Sequence, residues 1–197
     1  MFSDTNEILL PKILVFGADG QDGKILSDIY KLHNQLDRII SIGRQQHRQC
    51  IHQFSSVVRR QDIDAIIYLA AVNLNYFEKE VKTLSDEFYW RINYQDPVVV
   101  FNTIRHSHIK FVYASTCQVY KPSTALIEET ATKSAENIYQ KTKTEAVNFF
   151  IKDPHTANVL IPHFYNHISS YSRSTILFNR LRKSVIIGDL RRDFAED

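Results

Sequence analysis

Residues 12–26 read KILVFGADGQDGKIL: a short apolar run, three evenly spaced glycines, and the opening of an apolar helical period. The chain holds only five glycines in 197 residues, against roughly 14 at an average usage of about 7%. Three of them, Gly17, Gly20 and Gly23, share one window, GADGQDG. Glycine permits positive φ and close backbone approach, so glycines clustered where a strand turns into a helix build a seat for a diphosphate on helix N-terminal amides. The spacing G-x-x-G-x-x-G departs from the commonest dinucleotide fingerprint, and an ordinary strand-to-helix turn packed on its sheet is the competing reading.

Four more runs of strand character follow, at residues 38–42, 65–70, 110–115 and 158–161. Residues of helical spacing lie between the first two runs (Ile25, Leu26, Ile29, His33, Leu36) and between the last two (Tyr139, Lys143, Ala146, Val147, Phe150, Ile151). Near-continuous apolar strands alternating with amphipathic helices imply an α/β fold, a parallel sheet covered on both faces, with ligands at the carboxyl ends of its strands. The alternation stops at Pro162. Residues 1–161 are therefore expected to form one domain, followed by a locally basic segment, 162–197, with a further strand candidate at 185–187.

Composition excludes several classes. With 44% hydrophobic and 23% charged residues the chain is globular, and a net charge of +2 gives no field for nucleic acid or a membrane surface. Two cysteines, Cys50 and Cys117, allow neither a disulfide framework nor a cysteine-rich zinc site. His163 and His167 stand four apart but lack acidic or cysteine partners nearby, so no metal is expected. The start, MFSDTNEILLPK, lacks the pattern of a signal peptide and no apolar stretch reaches 18 residues. A soluble cytoplasmic protein is the expectation.

Several side chains carry possible chemistry. Run 38–42 is followed by Gly43 and Arg44 without a carboxylate; an acidic residue there holds the ribose 2′-hydroxyl of NAD and an arginine the 2′-phosphate of NADP, so Arg44 favours NADP. Tyr139 and Lys143 stack on one helix face, where an ammonium lowers a phenol's pKa and fits it for acid–base work. Thr116, at a strand end, can point a hydroxyl into the same crevice. Asn93 has two readings, because Pro97 lacks the N–H that would bond its carbonyl: a continuous helix with that carbonyl free to hold a water, or a new helix capped by Asp96 with Pro97 in its first turn. Arg173, Arg182 and Arg191 suit a diphosphate.

GADGQDG at 17–23, LAA at 69–71, Asn93, AST at 114–116 and Tyr139 with Lys143 occur in the order of the extended short-chain dehydrogenase/reductases, and the chain resembles their nucleotide-sugar epimerases and dehydratases. Within that family GQDG at 20–23, Tyr165-Asn166-His167 and Arg192-Asp193-Phe194 are most similar to the GDP-mannose 4,6-dehydratases. The resemblance implies a Rossmann-type dinucleotide-binding domain. Its cofactor, NADP or alternatively NAD, would rest on Gly17, Asp19, Gly20, Gln21, Asp22 and Gly23, with Arg44, Leu69, Ala70, Ala71, Asn93, Tyr139 and Lys143 completing the site. Thr116, Tyr139 and Lys143 would be catalytic, and Gln118, Asn166 and Arg173 would meet the nucleotide sugar.

Two departures matter. In the dehydratases a glutamate two residues after the threonine moves the protons of elimination; here Gln118 stands there, after Cys117, and an amide is no general base. The expectation is thus NADP-dependent hydride transfer at a sugar carbinol or ketone, as in epimerisation or reduction, rather than dehydration. Family members also continue past the Arg-Asp-Phe segment, so residues 162–197 read as a shortened substrate lobe. The alternative is a nucleotide-binding partner or regulatory subunit without turnover. Relatives pair through the helices matching residues 85–106 and 139–152, which implies a homodimer with Phe88, Ile92, Val99 and Phe150 available to it, although the core explains each of these four equally well.

Overall fold

A computed structural model describes residues 8–60, 62–73, 84–155, 158–165 and 169–171. Met1–Tyr165 forms one compact unit and Asn166–Asp197 a second, and the sheet lies in the first. Its elements are β1 (Ile13–Phe16), α1 (Gln21–Leu32), β2 (Ile39–Ile42), α2 (Arg44–His52), α3 (Phe54–Arg60), β3 (Ala65–Tyr68), α4 (Asp86–Trp90), α5 (Asp96–Ile104), β4 (Lys110–Tyr113), β5 (Ser115–Thr116), α6 (Ile138–Lys152), β6 (Val159–Leu160) and β7 (His163–Phe164). A π-helical turn, Arg91–Gln95, joins α4 to α5 without a break. No helix among the described residues is long and apolar enough to cross a membrane.

The main sheet is parallel, in the order β2-β1-β3-β4-β6. The chain leaves β1 towards β2 and returns across it to β3, so the topological switch, the usual ligand crevice, lies between β1 and β3. Every residue of β1 is buried, as a central parallel strand with both faces covered requires; β2, at the edge, is only half-buried. Two rows of side chains cross one face in register, Leu14-Ile66-Phe111 and Phe16-Tyr68-Tyr113, and pack with Val100, Phe101 and Ile104 of α5 and Ala146, Val147 and Phe150 of α6. The opposite face carries a smaller cluster around Ile13, Val15 and Tyr30. The expected architecture, a parallel sheet with helices on both faces, is the one observed.

Local readings differ at four places. In α1 the buried aromatic is Tyr30, whose phenol donates to Pro11 O (2.6 Å), whereas Ile29 and Leu36 of the expected stripe are exposed beside the half-covered edge strand. In α6 the stripe from Tyr139 to Phe150 is buried but Ile151 is exposed, one position round the helix. Phe150, for which a partner surface and the core are equal readings of the sequence, is a core residue with no exposure. Finally, run 110–115 splits: Ala114 N–H still donates to Tyr68 O (3.0 Å), but Ser115 N–H turns to Pro162 O (2.9 Å), and β5 pairs with β7 as a separate two-stranded sheet. The strand candidate at 185–187 lies outside the described residues.

Candidate functional site

The glycine turn is held from both sides of the switch. Gly17 and Ala18 N–H both donate to Ile42 O at the end of β2 (3.0 and 3.3 Å), and Leu69 N–H donates to Phe16 O (2.8 Å). Gly17 has φ +85°, and a Cβ on it would come within 2.6 Å of the Ala70 amide nitrogen. That contact accounts for the glycine: it lets the first turn close against residues 69–71. A Cβ on Gly23 would come within 2.5 Å of Ala18 Cα, so the third glycine seats α1 against the turn. Gly20 is the α1 N-cap, with no side-chain cap, and Asp22 lies in the helix's first turn. A strand-to-helix turn with glycine at its first position and at the N-cap of the helix it opens fits a dinucleotide diphosphate.

At the neighbouring strand end Gly43 is the N-cap of α2 and Arg44 its first residue. The Arg44 amide donates to Asp19 Oδ2 (2.8 Å), and a Cβ at position 43 would run into the Asp19 carboxylate. Asp19 therefore links the glycine turn to the start of α2.

Across the switch, Thr116 and α6 meet. Asn137 and Gln140 form a capping box that fixes the start of α6, with Gln140 N–H donating to Asn137 Oδ1 (2.9 Å) and Gln140 Oε1 accepting from Asn137 N–H (3.3 Å). Tyr139 thereby lies one turn ahead of Lys143, and its phenol is close enough to the Thr116 side chain for that hydroxyl to act on its pKa. Thr116 Oγ1 also accepts from Gln118 N–H (3.3 Å) as the cap of a 3-10 turn, Cys117–Val119. The Gln118 side chain is exposed beyond it.

Lys143 is 1% exposed; its ammonium donates to Ala114 O (2.8 Å) and lies 4.5 Å from the centre of the Tyr113 ring. Burial brings its pKa down to about 7. The expected lowering of the Tyr139 pKa by this lysine is not observed: burial raises the phenol's pKa, the nearby Thr116 side chain works against that, and Cys117 adds to it. The ammonium is engaged with a carbonyl and a ring face instead.

Asn93 resolves its two readings in an unexpected way. The helix is continuous, because Gln95 and Asp96 both have helical dihedrals, and Asp96 does not cap; its carboxylate bonds His47 Nε2 (2.9 Å) in the interior. Asp96 N–H donates five residues back, to Arg91 O. At the next step Pro97 has no N–H, so neither the α-helical bond to Asn93 O nor the π-helical bond to Ile92 O can form there. Both carbonyls are served from the sheet: Tyr113 donates to Asn93 O (2.7 Å) and Tyr68 to Ile92 O (3.0 Å). The Asn93 side chain accepts from Val72 N–H (2.9 Å) and donates to Val72 O (3.0 Å) and Thr142 Oγ1 (3.1 Å). The carbonyl that the continuous-helix reading left free for a water thus accepts a phenol.

Sequence reasoning did not single out Tyr68, Tyr113 or Thr142. The available signal was that two strands, 65–68 and 110–113, both end in tyrosine. Leu69, Ala70 and Ala71 line the end of β3 and are half-buried. Asn166, Arg173, His167, Arg182, Arg191 and the Arg192-Asp193-Phe194 segment lie outside the described residues. Among the described residues no group of three or more potential metal ligands occurs.

Residues 13–186 match the model of the family described as the NAD dependent epimerase/dehydratase family. No curated protein sequence matches significantly. Similar solved structures include dTDP-glucose 4,6-dehydratase from Bacillus anthracis in complex with NAD, at TM-score 0.70 and 15% identity over 91% of this chain and 62% of that one. UDP-glucuronic acid 4-epimerase from Bacillus cereus, in complex with UDP-glucuronic acid and NAD, gives TM-score 0.66 and 19% identity over 89% of this chain and 63% of that one. ADP-L-glycero-D-manno-heptose-6-epimerase from Helicobacter pylori gives 0.65 and 18% over 87% and 60%. At these identities the likeness is one of fold, and the chain spans about three fifths of each relative's length.

Proposed function

This chain belongs to the NAD dependent epimerase/dehydratase family, and on that premise we propose that it binds a nicotinamide dinucleotide across the ends of β1, β2 and β3 and acts on the sugar of a nucleotide sugar. The observation that carries this reading is the placing of Thr116 and Tyr139 side by side, both buried, with Lys143 one turn further along α6, across the switch point from the glycine turn. The relatives bound to NAD and to UDP-glucuronic acid support it.

A bound nicotinamide ring supplies hydride chemistry at a sugar carbon. Gly17, Gly20 and Gly23 with residues 69–71 would hold the dinucleotide, and Asn93 would keep residue 72 beside it through two backbone bonds. Tyr139 would move the proton at the sugar oxygen, with Thr116 donating to the same oxygen. Lys143, whose pKa is about 7, would hold ribose hydroxyls in either charge state near neutrality. Gln118 cannot remove a carbon-bound proton, so epimerisation or ketone reduction is favoured over dehydration. Arg44 argues for NADP and Asp19, bonded to its amide, for NAD. GDP-mannose is the first sugar nucleotide to test, residues 162–197 are the segment to contribute to its binding, and a homodimer would form through the helix face bearing the exposed Val99.

The second reading, a nucleotide-binding partner subunit without turnover, is favoured by Gln118. Tyr139→Phe separates the two. Under the enzyme reading it lowers turnover of the responsive nucleotide sugar by at least about 100-fold while the dinucleotide still binds. Turnover that survives the substitution overturns the assigned role, and absence of turnover with every nucleotide sugar despite dinucleotide binding favours the partner reading.

A further inference from the structure

NAD and NADP differ at the adenosine ribose, where a 2′-hydroxyl in one is a phosphate in the other, and in sheets of this topology that ribose lies at the end of the second strand. Here β2 ends at Ile42, and the residues that follow, Gly43 and Arg44, bring no carboxylate. A carboxylate reaches the place from another direction. Asp19, exposed on the glycine turn, accepts the Arg44 amide at Oδ2 (2.8 Å) and lies so close over Gly43 that no other residue fits at position 43 without displacing it. The turn is anchored to the same strand end, since Gly17 and Ala18 N–H both donate to Ile42 O.

We propose that Asp19 sets the cofactor choice, its carboxylate accepting an adenosine ribose hydroxyl of NAD and excluding the 2′-phosphate of NADP. The proposal rests on the dinucleotide reading above and runs against the preference drawn from Arg44. Asp19 Oδ1 has no partner among the described residues, and a carboxylate accepting from a hydroxyl makes a charge-assisted hydrogen bond. A phosphate dianion has no proton to offer it. Seated there it would set a second anion a few ångströms from the first, at a helix N-terminus where Asp19 already takes the Arg44 amide.

Equilibrium titration of the full chain with NADH and NADPH, followed by nicotinamide fluorescence, tests the proposal. The wild type is expected to bind NADH at least about 10-fold more tightly than NADPH, a difference of the size one charge-assisted hydrogen bond supplies. Asp19→Asn keeps an acceptor for the Arg44 amide, and Asp19→Ser is a second cap-competent variant; in both, the ratio is expected to fall to within about 3-fold, with NADPH affinity rising. Wild-type preference for NADPH, or a ratio unchanged in both folded variants, overturns the role of Asp19 while leaving the dinucleotide site intact. Failure of the folded wild type to bind either cofactor overturns the dinucleotide reading and this proposal with it.

Discussion

The phenol of Tyr113 donates to the main-chain oxygen of Asn93 at 2.7 Å, in the one stretch of helix where Pro97 leaves that oxygen without a backbone donor. The bond is buried and joins the end of β4 to the turn that carries Asn93. Tyr113→Phe keeps the ring against Phe150 and Lys143 but leaves a buried carbonyl unpaired. The expected loss is about 1–3 kcal/mol, read as a lower urea midpoint with an unchanged m-value. An unaltered midpoint would show that another donor takes over.

Lys143 ties stability to pH. Its folded pKa, about 7, lies below the unfolded value of 10.5, so the unfolded chain holds the proton more tightly. The stability cost of burying this lysine is full below about pH 7 and shrinks as pH rises from there towards 10.5. Lys143→Met should therefore be more stable than wild type at pH 6, with the gap closing between pH 7 and 9 by up to about 1.4 kcal/mol per pH unit. Parallel denaturation curves at pH 6, 7, 8 and 9 measure it. A gap independent of pH would mean that the lysine titrates outside this window.

The three glycines of the turn are not equivalent. Gly17→Ala demands positive φ and a Cβ inside backbone contact distance of Ala70, and Gly23→Ala meets Ala18 backbone; each should cost at least about 2 kcal/mol. Gly20 has φ −74° and a Cβ there would lie 3.1 Å from Gly17 O alone, so Gly20→Ala should change stability by less than about 1 kcal/mol. Thermal unfolding of the three variants checks the order, and equal losses at all three positions would contradict it.

What the sequence made legible was local. The turn showed because glycine is scarce elsewhere in the chain, and Tyr139 with Lys143 showed because i and i+4 share a helix face wherever the helix is placed. Contacts between distant segments did not show. Asp19 caps a helix that begins 25 residues later, and Tyr113 and Asn93 lie on different elements, so no periodicity marks either pair. The lysine's effect on the Tyr139 phenol was misjudged for a related reason: spacing gives the face of a helix, but the Ala114 carbonyl that holds the ammonium comes from the sheet. The exposure of Ile29 and Leu36 follows from the edge position of β2, which only the strand order reveals.

The π-helical turn Arg91–Gln95 acts as a one-residue phase shifter. A residue added within a helix rotates everything on one side by about 100° relative to the other, and here the two sides serve different clusters. Tyr89 of α4 packs with Val72 and Tyr139, and Val100, Phe101 and Ile104 of α5 pack into the main core. Deleting one residue from 91–95 would restore a regular helix and unlock these two faces from each other: α5 would keep its place in the core while Tyr89 swung away from Tyr139. The irregular turn is thus the gear that lets a single helix hold the sheet with one end and the crevice with the other.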